Sequence, residues 1–239
     1  MRLRIEVVTR ASEIPWSVVL APGRGIAYQL LAGSAPELGN RLHDGGLPPH
    51  GMVPFGYGTP VFPGAERRRG RYASGGTGVV EFGSPLPALV EAWALALRRT
   101  ELLDWGGVAL RVANVSAVSP PDFSEGRVRM RTVTPVVMKR SGVAPGSDER
   151  VWLLPDEPEF AACLQGNLAR KVETLGLSGK VLLEGVTWVG PKRSFAVGGG
   201  AKPGAAVEVE LSGDAEALRA VWSWGLGQAN SAGFGWISA

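Results

Sequence analysis

On either side of the pair Pro120-Pro121, this chain runs through the same order of hydrophobic periods. Residues 2–8 alternate, Leu3, Ile5 and Val7 against Arg2, Arg4 and Glu6, which is the period of a half-buried strand. After a Pro-Gly entry, Ile26, Tyr28, Leu30 and Leu31 predict a helix from Gly25 to Leu38. Residues 39–60 are too rich in Gly and Pro for long regular structure, apart from a short strand or hairpin near Met52 to Tyr57. Thr77 to Phe82 reads as a strand. Ser84 as cap and Pro85 after it open an amphipathic helix through Leu89, Val90, Trp93 and Leu97 to about Thr100. Val108 to Val118 is a further strand with an irregularity at Asn114.

The second half repeats that order. Arg127 to Val137 alternates basic with apolar residues, a polar loop runs from Met138 to Arg150, and Glu157 to Leu175 carries a helical stripe. Strands follow at Lys180 to Val189, Ser194 to Val197 and Val207 to Leu211; Asp214 caps a last helix, and a short strand closes the chain. Two βαββαβ units in tandem make the fold class α+β, with ferredoxin-like domains at 1–119 and 120–239. That fold assigns no activity by itself.

Composition narrows the function classes. With 239 residues at 45% hydrophobic, two small cores can be built. No apolar run reaches the length of a membrane span, and the first residues enter a strand pattern instead of a signal-peptide core, so a cytoplasmic protein with no membrane partner is expected. One cysteine, Cys163, and two histidines, His43 and His50, give no metal-ligand cluster, so neither metal nor cofactor is expected. Net charge is +3, but the cations cluster: Arg67, Arg68, Arg69 and Arg71 in one run, Arg127, Arg129, Arg131, Lys139 and Arg140 in another. Such patches attract polyanions, solvated loop charge being the plainer alternative for either run. On the strand, Arg127, Arg129 and Arg131 share one face. Tryptophans offer base stacking as well, although Trp93, Trp222 and Trp224 fall at apolar helix positions that predict core.

The tail is the densest glycine cluster: Gly225, Gly227, Gly233 and Gly235, with Gln228, Asn230 and Ser231 between them. Glycine serves where the backbone takes positive φ, and successive free N–H groups in such a loop can form an anion-binding concavity. A dinucleotide fingerprint is excluded, because its third glycine would fall at Asn230 and the loop leads to the end of the sequence instead of into a helix.

An apolar helix followed by G-x-G, five residues and G-Phe-G resembles the signature loop of the repeat-associated CRISPR RNA proteins, the RAMP superfamily, in particular the pre-crRNA-processing endoribonucleases. The segment from Arg131 to Val137 is similar to that family's T-x-S-P strand, with Thr134 in place of Ser. Leu42-His43-Asp44-Gly45-Gly46 resembles the segment holding its catalytic histidine, followed by Pro54-Phe55; Tyr28 precedes His43 by 15 residues, like the active-site tyrosine of some members. A lysine that several relatives place soon after the histidine is missing, so His50, Arg24, Arg41 or one of Arg67 to Arg71 would have to supply its charge.

The resemblance implies cleavage of CRISPR repeat RNA without a metal, by attack of a ribose 2′-OH on the adjacent phosphate, giving 2′,3′-cyclic phosphate and 5′-OH ends. Histidine suits the proton transfers because it titrates near neutrality. His43 is then the acid or base, Tyr28 the group orienting the 2′-OH, and His50 a cationic stabiliser. Arg127, Arg129, Arg131, Lys139, Arg140, Gly225, Gly227, Gln228, Asn230, Ser231, Gly233 and Gly235 are the expected RNA contacts. The alternative is a non-catalytic scaffold holding crRNA among other subunits of an effector complex; a homodimer is compatible with either.

Overall fold

The computed structural model describes residues 1–67, 69–140, 152–197 and 200–238. Arg68 of the first basic run and most of the polar loop read after Met138 lie outside the described residues. The first domain opens with β1 (Arg2–Thr9) and β2 (Glu13–Ile14), then helices α1 (Pro22–Ala32) and α2 (Pro36–Asp44). Strands β3 (Gly56–Tyr57), β4 (Tyr72–Ala73) and β5 (Gly76–Gly83), helix α3 (Pro87–Leu97) and strands β6 (Leu102–Asp104) and β7 (Ala109–Val118) complete it. The second domain holds β8 (Arg127–Arg131), β9 (Met138–Lys139), β10 (Trp152–Leu153), α4 (Phe160–Thr174) and β11 (Val181–Val189). It continues through β12 (Arg193–Val197), β13 (Gly200–Gly204), β14 (Val207–Gly213) and α5 (Ala215–Trp224).

The first sheet has the antiparallel order β3-β5-β1-β7-β6. The second runs β11-β14-β8. The chain end takes the place of a fourth strand through an isolated bridge between Thr132 and Ile237: Val133 N–H donates to Trp236 O and Ser238 N–H to Arg131 O, each at 2.8 Å. Counting only the βαββαβ strands, both sheets thus order as second, third, first, fourth, the arrangement of tandem ferredoxin-like domains. β1 buries Leu3, Ile5 and Val7 as its alternation predicts, and β7 bulges beside Asn114, where Glu6 pairs with Asn114 but Val7 with Val112.

Three local expectations are corrected. The helix read to Leu38 ends at Ala32, and α2 starts afresh at Pro36, a residue suited to the first helical turn because it lacks the N–H left unpaired there. Ser84 is no helix cap: its hydroxyl donates to Pro54 O and accepts from Leu86 N–H, while α3 begins at Pro87. Asp214 does sit at the N-cap of α5, yet its carboxylate accepts from Lys180 N–H at 2.7 Å instead of from the helix.

One side chain read as solvent-facing is the rivet between the domains. Arg2 is fully buried, its guanidinium 4.0 Å from the Trp222 ring centroid and 3.9 Å from that of Trp236, donating to Trp222 O and Ile237 O. A buried cation needs partners, and two carbonyls, two ring faces and Glu81 at 3.7 Å supply them. Burial nevertheless pulls its pKa down to about 9, Glu81 acting in the opposite sense.

Candidate functional site

Helices α1 and α2 bring together two of the residues singled out by sequence. Tyr28 lies on α1 among the buried Ile26, Ala27, Leu30 and Leu31, and its ring stands edge-on to His43 at 5.3 Å and to Phe55 at 5.6 Å. His43, expected in a loop, occupies the last turn of α2, exposed, with Nδ1 3.3 Å from Asp44 Oδ1. The signal for this helix was legible: Pro36 at its start, Glu37 in the first turn and Arg41 in the last complement the helix dipole. The Tyr28 hydroxyl is buried beside the Arg24 side chain and makes no well-formed hydrogen bond among the described residues. Burial raises its pKa, and the Arg24 guanidinium, 5.7 Å from the ring centroid, opposes that shift. An orphaned buried hydroxyl costs about 1–3 kcal/mol, a cost that a polar group of a ligand would remove.

His50 sits at the tip of a tight turn closed by Leu47 N–H to Met52 O at 2.7 Å and Met52 N–H to Leu47 O at 3.1 Å. Its Nε2 meets Oε2 of Glu173 on α4 at 2.7 Å, across the domain boundary. Among the described residues, ring contacts and hydrogen bonds join His43 to Tyr28 and His50 to Glu173, and none joins the two histidines.

The basic strand is exposed as expected but not purely basic. Arg129 pairs with Glu210 at 2.6 Å and Glu208 at 3.8 Å on the neighbouring β14, and Arg131 lies 4.0 Å over the Trp188 ring. A hollow of about 420 Å³ has Arg127, Arg129, Glu184 and Glu210 in its walls. Arg140 pairs with Glu159 at 2.6 Å and Glu157 at 3.9 Å, whereas Lys139 and Lys202 flank the Trp152 ring at 5.3 and 5.6 Å.

Sequence reasoning missed the surface beside this strand. A cleft of about 610 Å³ runs between the domains, with Trp16, Tyr72 and Arg67 on one wall and Arg131, Trp188 and Arg193 on the other. Trp16 and Trp188 are 40% and 37% exposed, while Trp93, Trp105, Trp222, Trp224 and Trp236 are buried. Periodicity marked the helical tryptophans as core but said nothing of Trp16, in a short turn after Pro15, or of Trp188, on the open side of β11.

The glycine loop is packed inward. All four of its glycines have positive φ, as does Ala229. A Cβ on Gly235 would stand 1.9 Å from Leu226 O, and one on Gly233 2.8 Å from the Tyr57 ring of the first domain. Leu226 N–H donates to Gly235 O, Gln228 N–H to Val137 O and Gly235 N–H to Pro135 O, so most of the expected anion cradle is occupied by the protein's own carbonyls. The Thr134-Pro135 segment thereby grips the loop, Thr134 Oγ1 accepting from Trp236 N–H at 2.8 Å. Asn230, expected at the RNA surface, is 4% exposed: its amide donates to Leu226 O and Phe234 O at 2.9 Å and its oxygen accepts from Lys171 Nζ at 2.7 Å. Lys171, unforeseen from sequence, also donates to Gly225 O and lies 4.8 Å over the Trp224 ring; burial lowers its pKa well below the ordinary value. Gln228 and Ser231 remain half-exposed.

No curated protein matches the sequence. Among solved structures, a Cas6-related protein from Pyrococcus furiosus superposes with a TM-score of 0.79 at 14% identity, over 100% of this chain and 97% of that one. A structure described as CRISPR associated protein Cas6 gives 0.78 at 19% identity, over 100% and 98%, and a Cas6 product complex 0.69 at 18%, over 99% and 98%. At these identities the likeness carries the fold. The model of the family described as CRISPR associated protein Cas6, C-terminal, matches residues 118–239, just over half of the sequence, and so this chain belongs to the Cas6 family of CRISPR-associated proteins.

Proposed function

We propose that this protein is a metal-independent endoribonuclease that cuts CRISPR repeat RNA at a site built around His43 and Tyr28. The observation that carries the reading is the pairing of these two rings from separate helices, 5.3 Å apart, with the Tyr28 hydroxyl making no well-formed hydrogen bond among the described residues. In the reaction the ribose O2′ bonds to the adjacent phosphorus as a base takes its proton, the P–O5′ bond breaks, and an acid returns a proton to O5′. His43 moves the proton, exposed where a phosphodiester can reach it. Tyr28 hydrogen-bonds and orients the 2′-OH. Arg24 beside Tyr28 and His50 in its protonated form stabilise the charge of the phosphorane by fixed electrostatics. The flanking RNA is held by Trp16, Trp188 and Arg131 in the cleft and by Lys139, Gln228 and Ser231 near the glycine loop, bases stacking on the exposed rings while cations meet the phosphates.

Incubating the protein with end-labelled repeat RNA in excess chelator tests this. A single discrete cut leaving a 2′,3′-cyclic phosphate is expected, abolished when the 2′-OH at the cut is replaced by hydrogen. Tight binding without any cut would instead assign the protein the scaffold role.

A further inference from the structure

The last turn of α4 faces two ways. Lys171 points inward and holds the glycine loop through Gly225 O and Asn230 Oδ1. Glu173, two residues on, points outward and meets His50 of the other domain at 2.7 Å. We propose that Glu173 is a positioning residue for cleavage: it holds the Nε2–H of His50 across the domain boundary and leaves Nδ1 as the ring nitrogen that faces the RNA. This rests on the ribonuclease reading above.

A carboxylate only accepts, so Nε2 carries the hydrogen in this contact. The bond made by one imidazole nitrogen sets the state and direction of the other, which is how carboxylates orient histidines in catalytic and metal sites. In the charged imidazolium, Nδ1–H then points a donor and a positive charge at a non-bridging oxygen of the phosphorane. No proton changes hands at His50, the transfers remaining with the other groups of the site. The turn suits this role, because its two backbone bonds between Leu47 and Met52 fix the main chain while Glu173 fixes the ring. It also answers the missing lysine: the short turn offers an imidazole, and the other domain supplies the group that orients it. Glu173 is 63% exposed at its side chain, so the pair adds little to stability, and its removal is expected to leave the fold intact.

The test compares Glu173→Ala, Glu173→Gln, His50→Ala and the double variant His50→Ala/Glu173→Ala in single-turnover cleavage of repeat RNA, with imidazole ¹⁵N spectra of the free proteins. Glu173→Ala is expected to cut roughly 10- to 100-fold more slowly with RNA affinity within about twofold of the parent. Glu173→Gln, whose amide oxygen still accepts from Nε2–H, should recover part of the rate. The double variant should cut no more slowly than His50→Ala alone, and the ¹⁵N shifts of His50, not those of His43, should move in Glu173→Ala. Wild-type cleavage by Glu173→Ala, a further loss in the double variant, or unmoved His50 shifts would each overturn the proposal. If the parent protein does not cut the RNA at all, the ribonuclease reading falls and the positioning role with it, while the spectra still decide whether Glu173 holds His50.

Discussion

Two glycine-rich segments, residues 45–58 and 225–235, look alike in composition and do opposite things. In the tail loop the glycines let the backbone fold onto itself and against both domains, with Asn230 and Lys171 closed inside. In the turn after His43, the backbone closes on itself between Leu47 and Met52 and leaves His50 at the tip, aimed at the other domain. Glycine density therefore marks tight backbone. A polar side chain remains accessible beside the first segment, and on the function proposed above the histidine segment is the reactive one and the tail loop its support.

The comparison breaks or sharpens through graded substitutions. His43→Ala should slow single-turnover cleavage by about 10²–10⁴-fold, the usual reach of general acid–base catalysis, with the thermal midpoint unchanged because the side chain is exposed. Loss of stability in place of rate would erase the contrast. Gly235→Val, which drives a side chain into Leu226 O, should cost more than about 3 kcal/mol in urea unfolding; a stable, RNA-competent variant would return the loop to the functional surface.

Lys171→Met leaves Gly225 O and Asn230 Oδ1 without a donor and should cost about 2–4 kcal/mol. Its pH dependence has a definite sign. The folded-state pKa lies below the ordinary value of 10.5, so the unfolded chain binds more protons in the window between them. The parent's stability relative to Lys171→Met should therefore rise with pH toward 10.5 and fall as pH drops through the folded-state value, read from chemical denaturation at a series of pH values. Smallest is Trp188→Ala, expected to weaken RNA binding by about 1–3 kcal/mol while leaving the saturated cutting rate unchanged. An unaltered Kd would show that the interdomain cleft is not the RNA path.

Much of the fold was legible because strand and helix periods are local. Alternation in β1 and the three- and four-residue steps of α3 are read from neighbours along the chain, and the duplicated order followed from them. Residues 39–44 were read as irregular because the glycines and prolines around them outweighed a helix start that stands on one proline and two charged residues. Tyr28 and His43 were paired by resemblance to a family, and the packing of α1 on α2 brings their rings together.

What the sequence alone determined is what short-range pattern encodes: two βαββαβ units in tandem and the stretches dense in glycine. Only the tertiary structure decided which cations stay available. Arg2 vanished between two tryptophans and Lys171 into the glycine loop, Arg129 and Arg140 were taken up by glutamates, and Arg131 and Trp188 came to line one cleft. The partners that settle each charge lie tens to hundreds of residues away along the chain, and a charge's worth depends on the partner and the dielectric that folding brings to it.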